Sequence, residues 1–126
     1  MNHPSRLAPK VGRAIFELTN PIVRTFPIVA EEGASYPFMV YRRTSLTPYT
    51  TKDRFNYLTQ ISMELVIVTQ KYEEGVALSQ EVWDALDKKV GNIGGLDISE
   101  IRVTSSSEDF ANNAYIQRLQ IEVDVE

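Results

Sequence analysis

The chain has 126 residues, 43% of them hydrophobic and 24% charged, and a net charge of −4 at pH 7. This length and composition predict one globular domain over residues 1–126, and the acidic balance argues against gripping nucleic acid through its phosphates. Because cysteine is absent and the single histidine is His3, disulfides, thiolate chemistry and most histidine-based catalysis or metal binding are excluded.

The first predicted element is a short N-terminal helix over residues 8–18. Its apolar side chains recur at helical spacing: Leu7, Val11, Ala14, Ile15 and Leu18. Pro9 fits only the beginning of such a helix, because an interior proline costs about 3 kcal/mol. Residues 22–29 then predict a strand that Pro27 interrupts or ends, which is typical of a sheet edge.

Two longer strands follow. Residues 37–46 are rich in aromatic and β-branched side chains and predict a strand. Residues 47–53 are polar and predict a wide hairpin loop. Residues 55–69 predict a second strand, one face of which carries Ile61, Met63, Leu65 and Ile67. Val66 and Val68 make its other face apolar near the end, which favours a central position or cover on both sides.

Residues 72–90 predict the clearest helix. The residues along one stripe are Val76, Ser79, Val82, Trp83, Leu86 and Val90. Acidic residues at 73–74 and basic residues at 88–89 suit the two ends of the helix dipole. Gly91 is predicted as the residue that ends the helix, and Gly94 with Gly95 predicts a sharp turn.

The C-terminal third predicts two more strands. Residues 98–104 form the first, with Ile101 and Val103 on one side. Residues 105–113 predict a polar loop or bulge with one apolar anchor, Phe110. Residues 115–126 alternate strictly, so that one face is core and the other faces water. The fold class is therefore α+β: an antiparallel sheet of about five strands, with helix 72–90 packed on one face and a short N-terminal helix.

Carboxylates are the only abundant candidates for chemistry. Glu122, Asp124 and Glu126 share one strand face, where they could bind a hard cation, face solvent or line a surface that repels phosphate. Three carboxylates supply too few ligands for a metal by themselves. The glycine-rich stretch 91–95 lacks the lysine and hydroxyl residue of a phosphate loop. No nucleophile is paired with a base, so we expect no enzyme activity and no cofactor.

A second candidate set mixes basic and aromatic side chains. Its members are Tyr41, Arg42, Arg43, Tyr49, Lys52, Arg54 and Tyr57. Such a mixture is found in nucleic-acid binders. It is equally typical of subunit interfaces, in which tyrosine and arginine are enriched, and we expect an interface here. The chain lacks an 18-residue apolar run and a signal-peptide core, so no membrane association is expected.

Three blocks of the sequence resemble the phage tail-completion family, which includes tail terminators and tail-to-head joining proteins. The first is residues 25–43, TFPIVAEEGASYPFMVYRR, a short strand and a turn that re-enters as an aromatic strand. The second is residues 62–79, SMELVIVTQKYEEGVALS, a strand leading through a tyrosine into a helix. The third is the alternating C-terminal strand. The resemblance spans most of residues 22–126, and the order of the blocks carries it.

The resemblance implies a structural virion protein without catalytic residues. Such a subunit forms a ring, commonly a hexamer, that caps the tail tube and joins it to the head connector or neck. Its expected partners are copies of itself, the tail tube protein and the connector, and it would be assembled in the host cytoplasm and located in the virion. We add the hypothesis that Glu122, Asp124 and Glu126 face the lumen, so that DNA passes without adhering. The alternative is a small dimeric α+β protein that acts as a ligand-binding or regulatory module.

Overall fold

The computed structural model describes residues 7–50 and 57–126, which form two helices and a six-stranded sheet. The helices are α1 (Leu7–Thr19) and α2 (Tyr72–Leu86). The strands are β1 (Thr25–Pro27), β2 (Phe38–Thr50), β3 (Tyr57–Thr69), β4 (Gly91–Ile93), β5 (Leu96–Ala111) and β6 (Ala114–Val125). Their order across the sheet is β1-β2-β3-β6-β5-β4, and every neighbouring pair is antiparallel except β1 and β2.

The core lies between the sheet and the two helices, which pack on the same face. Alternate residues of the central strands β3 and β6 point into it and are almost completely buried. They are Ile61, Met63, Leu65, Ile67, Leu119, Ile121, Val123 and Val125. The helices contribute Val11, Ala14, Ile15, Val82 and Leu86 to the same cluster. Each buried aliphatic side chain stabilises the fold by about 1.5–3 kcal/mol. We call this side of the sheet the helix face and the opposite side the open face.

The N-terminal predictions are largely confirmed. The helix extends from Leu7 to Thr19, with Pro9 in its first turn, where the missing N–H does no harm. β1 is an edge strand, as Pro27 indicated, but it has three residues and runs parallel to β2, whereas the prediction was eight residues in an antiparallel sheet. It ends because Ile28 turns to φ 65° while its N–H still donates to the Tyr41 carbonyl at 2.8 Å.

The outward edge of β1 offers a neighbouring strand almost nothing to pair with. The N–H of Thr25 donates to the Asn20 side-chain oxygen at 3.1 Å. Pro27 has no N–H, and its carbonyl accepts the Val29 N–H at 2.6 Å. Neither of the two residues that face away from β2 therefore has a free backbone N–H, and the carbonyl of Pro27 is also occupied.

Helix α2 ends four residues earlier than predicted. The amide of Asp87 donates to the Trp83 carbonyl, after which the backbone becomes extended and Lys88 adopts φ 66°. The backbone of residues 88–89 then pairs with Ile101 of β5, through N–H···O distances of 2.7 and 3.1 Å. The backbone of Lys88 and Lys89 therefore pairs with the sheet, and these two lysines do not lie in the last turn of the helix as predicted. Val76 and Val90, predicted on the buried stripe, are exposed, and Gly91 belongs to β4 instead of ending the helix.

Two segments predicted as loops are strand. Residues 47–50 continue β2, while 51–53 lie outside the described residues. Residues 105–111 continue β5 after a register shift between Val103 and Ser105, and they pair with β6 up to a turn at residues 112–113. Polar side chains do not prevent this, because the ladder is made by the backbone and both faces there are exposed. These extensions add no strand. The short strand β4 brings the sheet to six strands where about five were predicted.

The predicted sharp turn at Gly94 and Gly95 is confirmed, with φ of 61° and 81°. It joins β4 to β5 as a two-residue hairpin, in which positive φ at both residues suits the twist of the strands. Gly94 is also required by packing, since a Cβ there would lie 3.0 Å from the backbone nitrogen of Ala14. The turn therefore lies directly against the backbone of helix α1.

The central position of β6 leads to a stability prediction. Ile121→Ala should lower the free energy of unfolding by about 2–5 kcal/mol, because Ile121 is only 1% exposed and its truncation removes buried apolar atoms and leaves a cavity. Val29→Ala, at a site that is 71% exposed, is the control and should stay within about 0.5 kcal/mol of the parent. Urea unfolding followed by circular dichroism measures both. Equal losses in the two variants would contradict this account of the core.

Candidate assembly surface

The open face of the sheet has no helix or strand packed on it in the part of the chain that the structure describes. Its upper half, near the start of β2 and the end of β3, is apolar. The side chains there are Phe38, Val40, Val66, Val68 and Ile116, all half-buried. Phe26 of β1 joins them, with its ring edge-on to Phe38 at 6.4 Å between centroids. A half-buried apolar surface of this kind suits contact with another protein.

The lower half of the open face is polar and is organised around Arg102 of β5. Its guanidinium donates to Glu100 at 2.9 Å, to Glu122 at 2.9 Å and to both carboxylate oxygens of Asp124. These hydrogen bonds hold the pKa of Arg102 well above its usual range. Three carboxylates surround one guanidinium, so the cluster keeps a net negative charge.

Further polar contacts continue across the strands. The Gln60 amide donates to Glu122 at 3.2 Å. One row higher, Glu64 accepts from Arg42 at 3.3 Å and from Gln120 at 2.9 Å. Side chains directly or diagonally opposite on neighbouring strands thus satisfy one another. The polar half of the face therefore consists of two hydrogen-bonded groups and not of independent solvated charges.

The structure places the predicted acidic residues in two settings. Glu122 and Asp124 lie on the open face within the Arg102 cluster. Glu126 follows the end of β6 and is exposed, and its amide donates to the Asp97 carbonyl at 3.1 Å. Sequence reasoning missed Arg102, because only the register between β5 and β6 shows that it lies opposite Glu122.

The predicted basic and aromatic set does not form one surface. Arg42 lies on the open face, while Tyr41 and Arg43 point to the helix face, because successive residues of a strand alternate. Tyr41 packs beside Gly12 of α1, where an added Cβ would lie 2.9 Å from its hydroxyl, and burial raises the pKa of Tyr41. Tyr49 lies in β2 and Tyr57 in β3. Lys52 and Arg54 are outside the described residues.

Two further features were not anticipated from the sequence. A groove of about 330 Å³ lies where α1, the end of β1 and the edge of β2 meet; we call it the β2 groove. It is lined by Pro9, Val11, Pro27, Ile28, Tyr41, Arg42, Arg43 and Met63. Its walls are mainly apolar. Arg43 lies on the same face of β2 as the groove, whereas the side chain of Arg42 lies on the open face, where it donates to Glu64. No sequence pattern marked it, because its residues come from four separated segments.

The second feature is the tip of the β5–β6 hairpin, residues 108–115, which we call the acidic tip. Phe110 is 55% exposed there and contacts Tyr115, with 4.9 Å between ring centroids. Tyr72 at the start of α2 packs edge-on to Tyr115 and donates its hydroxyl to Glu108 at 3.0 Å. That hydrogen bond raises the pKa of Tyr72. The tip is therefore anchored to α2 at its base and exposed at Phe110.

Within residues 7–50 and 57–126, no three histidine, cysteine or carboxylate side chains are grouped so as to hold a metal ion. Neither of the two helices described is long and apolar enough to cross a membrane.

Comparisons with known proteins show the fold. No family model matches the chain, and no curated protein matches it in sequence. Among solved structures, it is similar to a chain of the virion of a native gene transfer agent particle, with a TM-score of 0.71 at 10% identity, over 95% of this chain and 97% of that one. A second solved chain, whose name describes no function, gives a TM-score of 0.56 at 13% identity over 97% and 93%. The chain therefore has the α+β fold of these proteins along nearly its whole length.

The Arg102 cluster leads to a prediction about coupling. A double-mutant cycle between Arg102→Ala and Asp124→Ala should give a coupling free energy of about 0.5–3 kcal/mol, in the lower part of that range because Arg102 is one-third exposed. The same cycle on Arg24 and Glu31 is the control, since that pair is exposed and 3.7 Å apart, and it should give almost none. Equal coupling in the two cycles would show that the cluster is merely a solvated set of charges.

Proposed function

We propose that the protein is a structural virion subunit that forms a ring, caps the phage tail tube and joins it to the head connector. The observation that carries the proposal is the likeness to a chain of a gene transfer agent virion, which covers almost all of both chains. An equivalence from end to end supports a shared architectural role better than a partial match could. The resemblance of residues 25–43 and 62–79 to the tail-completion family supports the same assignment independently.

A ring is physically reasonable for this molecule. A compact chain of this length has a radius of gyration of about 14 Å. Six such bodies arranged head to tail leave a central hole about one subunit across, and contacts of that type close when the rotation between neighbours permits. The open face and the exposed corners of the sheet supply surface that is unused within one copy. The proposal assigns the protein no catalytic role and no cofactor.

In the proposed ring, one half of the open face would line the channel and the other half would contact a partner protein. The Arg102 cluster combines Glu100, Glu122 and Asp124 with a single guanidinium, and Glu126 follows directly. A lumen lined by this net negative charge would repel phosphates and let DNA pass without adhering. The apolar upper half would then contact the tail tube protein or the neck. In this proposal the ring is assembled in the host cytoplasm and is located at the tail end or the head–tail junction.

The ring is tested on the free protein and on particles. Light scattering after size exclusion and negative-stain microscopy should show rings with a central hole, or a monomer that forms a ring when tail tubes are added. Particles purified from cells that carry the gene should contain the protein, and labelled antibody should bind at the tail end or neck. Absence from purified particles together with a stable two-fold dimer would overturn the proposal and favour the dimeric ligand-binding module.

The channel surface is tested by neutralising Glu122→Gln, Asp124→Asn and Glu126→Gln together. The amide side chains still accept hydrogen bonds from Arg102, so assembly should be unchanged, while DNA ejection should slow because the lumen loses its repulsion. The matched control neutralises three exposed carboxylates of helix α2: Glu73→Gln, Glu74→Gln and Glu81→Gln. The rate of DNA ejection from purified particles, followed with a DNA-binding dye, is compared between the two variants. Unchanged ejection in the first variant, or equal slowing in both, would remove the lumen assignment.

A further inference from the structure

Opposite edges of the sheet carry features of complementary chemistry. The acidic tip presents the exposed ring of Phe110 beside the exposed carboxylates of Glu108 and Asp109. The β2 groove presents apolar walls, with Arg43 on the same face of β2 and Arg42 on the opposite face of that strand. An exposed aromatic ring next to negative charge matches an apolar groove next to positive charge. One copy cannot bring them together, because two strands, β3 and β6, separate β2 from β5 in the sheet.

The faces of the two strands also match. On β5, Asp109 lies opposite Ile116 on the open face, and Glu108 lies opposite Gln117 on the helix face. On β2, Arg42 is on the open face and Arg43 on the helix face. Two copies can meet edge to edge so that their open faces lie on the same side of the joined sheet. Asp109 then lies beside Arg42 on the open face, and Glu108 lies beside Arg43 on the helix face. Phe110, on the helix face like Glu108, is then directed to the side of β2 on which Tyr41 lines the groove.

Among the described residues, the outer edges of β2 and β5 have no neighbouring strand along the residues that would form this contact. β1 pairs with β2 only at residues 39–41. β4 pairs with β5 only at residues 96–98, and the segment after α2 bonds β5 only at residues 101 and 103. Residues 42–47 of β2 and 104–109 of β5 therefore have one side without a strand partner in the described part of the chain. β2 and β5 run in opposite directions in the sheet, so the new pair is antiparallel.

The offset between these edges suits a closed assembly. Within one copy, the row of Arg42 passes through Glu64 and Gln120 to Ser105, four residues before Asp109. If Asp109 lies level with Arg42 of the next copy, that copy is displaced by four residues, about 13 Å, along the strand direction. The width of four strands in one copy is about 19 Å. The shift corresponds to strands tilted by about 35° to the ring axis, which is within the range found in closed barrels.

We propose that the acidic tip of one copy seats in the β2 groove of the next copy, with Phe110 among the apolar walls and with Glu108 and Asp109 beside Arg43 and Arg42. The contact joins two different patches and is therefore head to tail, the type that generates a ring. The inference rests on the proposed function for its ring, since it names the surfaces through which neighbouring subunits meet.

Disulfide trapping tests the contact and its register, because the chain has no cysteine of its own. Single variants Arg43→Cys and Glu108→Cys are mixed under mild oxidation, as are Arg42→Cys and Asp109→Cys. All four side chains are exposed, so the variants should fold. Opposite residues of an antiparallel pair have Cα atoms about 4.5–5.5 Å apart, which a disulfide can span. The control mixture, Arg42→Cys with Glu108→Cys, places the two thiols on opposite faces.

Both matched mixtures should give a disulfide-linked dimer, and the control should give at least about tenfold less. Phe110→Ser should weaken self-association about tenfold or more, whereas Val90→Ser, at an equally exposed valine outside the contact, should leave it unchanged. Rings without the matched disulfides would overturn this contact and leave the proposed function standing. Matched disulfides in a protein absent from purified particles would sustain the contact and refute the virion role. Absence of the matched product in every condition overturns the inference.

Discussion

The two-residue period of the central strands β3 and β6 is the constraint on which the rest of the molecule depends. Their inward residues are opposed in register, Ile61 to Val123, Met63 to Ile121 and Leu65 to Leu119, and all are buried under the helix pair. A slip of one residue in either strand would turn an entire apolar row to the open face. The position of both helices, and the existence of one open face, follow from that alternation.

Because the core is one-sided, the opposite face had to be made compatible with water by other means. Its lower half does this with charge: Arg102 is shared among three carboxylates, and Glu64 accepts from two strands. Its upper half remains apolar and half-buried. This division along a single face separates a surface suited to protein contact from one suited to repelling polyanions. The proposed function uses both halves.

The sequence was sufficient where a strict local pattern determined the element. The alternation in residues 115–126, the helical spacing in 8–18 and the glycine pair at 94–95 each led to the element observed. It was insufficient where backbone pairing alone determined the structure. Residues 105–111 are too polar to indicate a strand, yet β6 pairs with them, and α2 ends early because β5 recruits the backbone of residues 88–89.

The candidate site was less predictable for a related reason. Glu122 and Asp124 were recognised as sharing a face, but their neutralising partner lies twenty residues away in sequence and is identified by register alone. Tyr41, Arg42 and Arg43 were grouped by composition, although strand alternation separates Arg42 from the other two. The β2 groove joins residues from α1, β1, β2 and β3, a combination that only the folded chain creates.

The sealed outer edge of β1 has a consequence for the behaviour of free subunits at high concentration. The Thr25 N–H is held by Asn20, Pro27 has no N–H, and the Pro27 carbonyl is held by Val29, so this edge offers an added strand no free N–H. Continuation of the hydrogen-bonded ladder into amyloid-like fibres is therefore disfavoured at this edge. The edge of β1 therefore protects the folded chain against aggregation by strand addition at this end of the sheet.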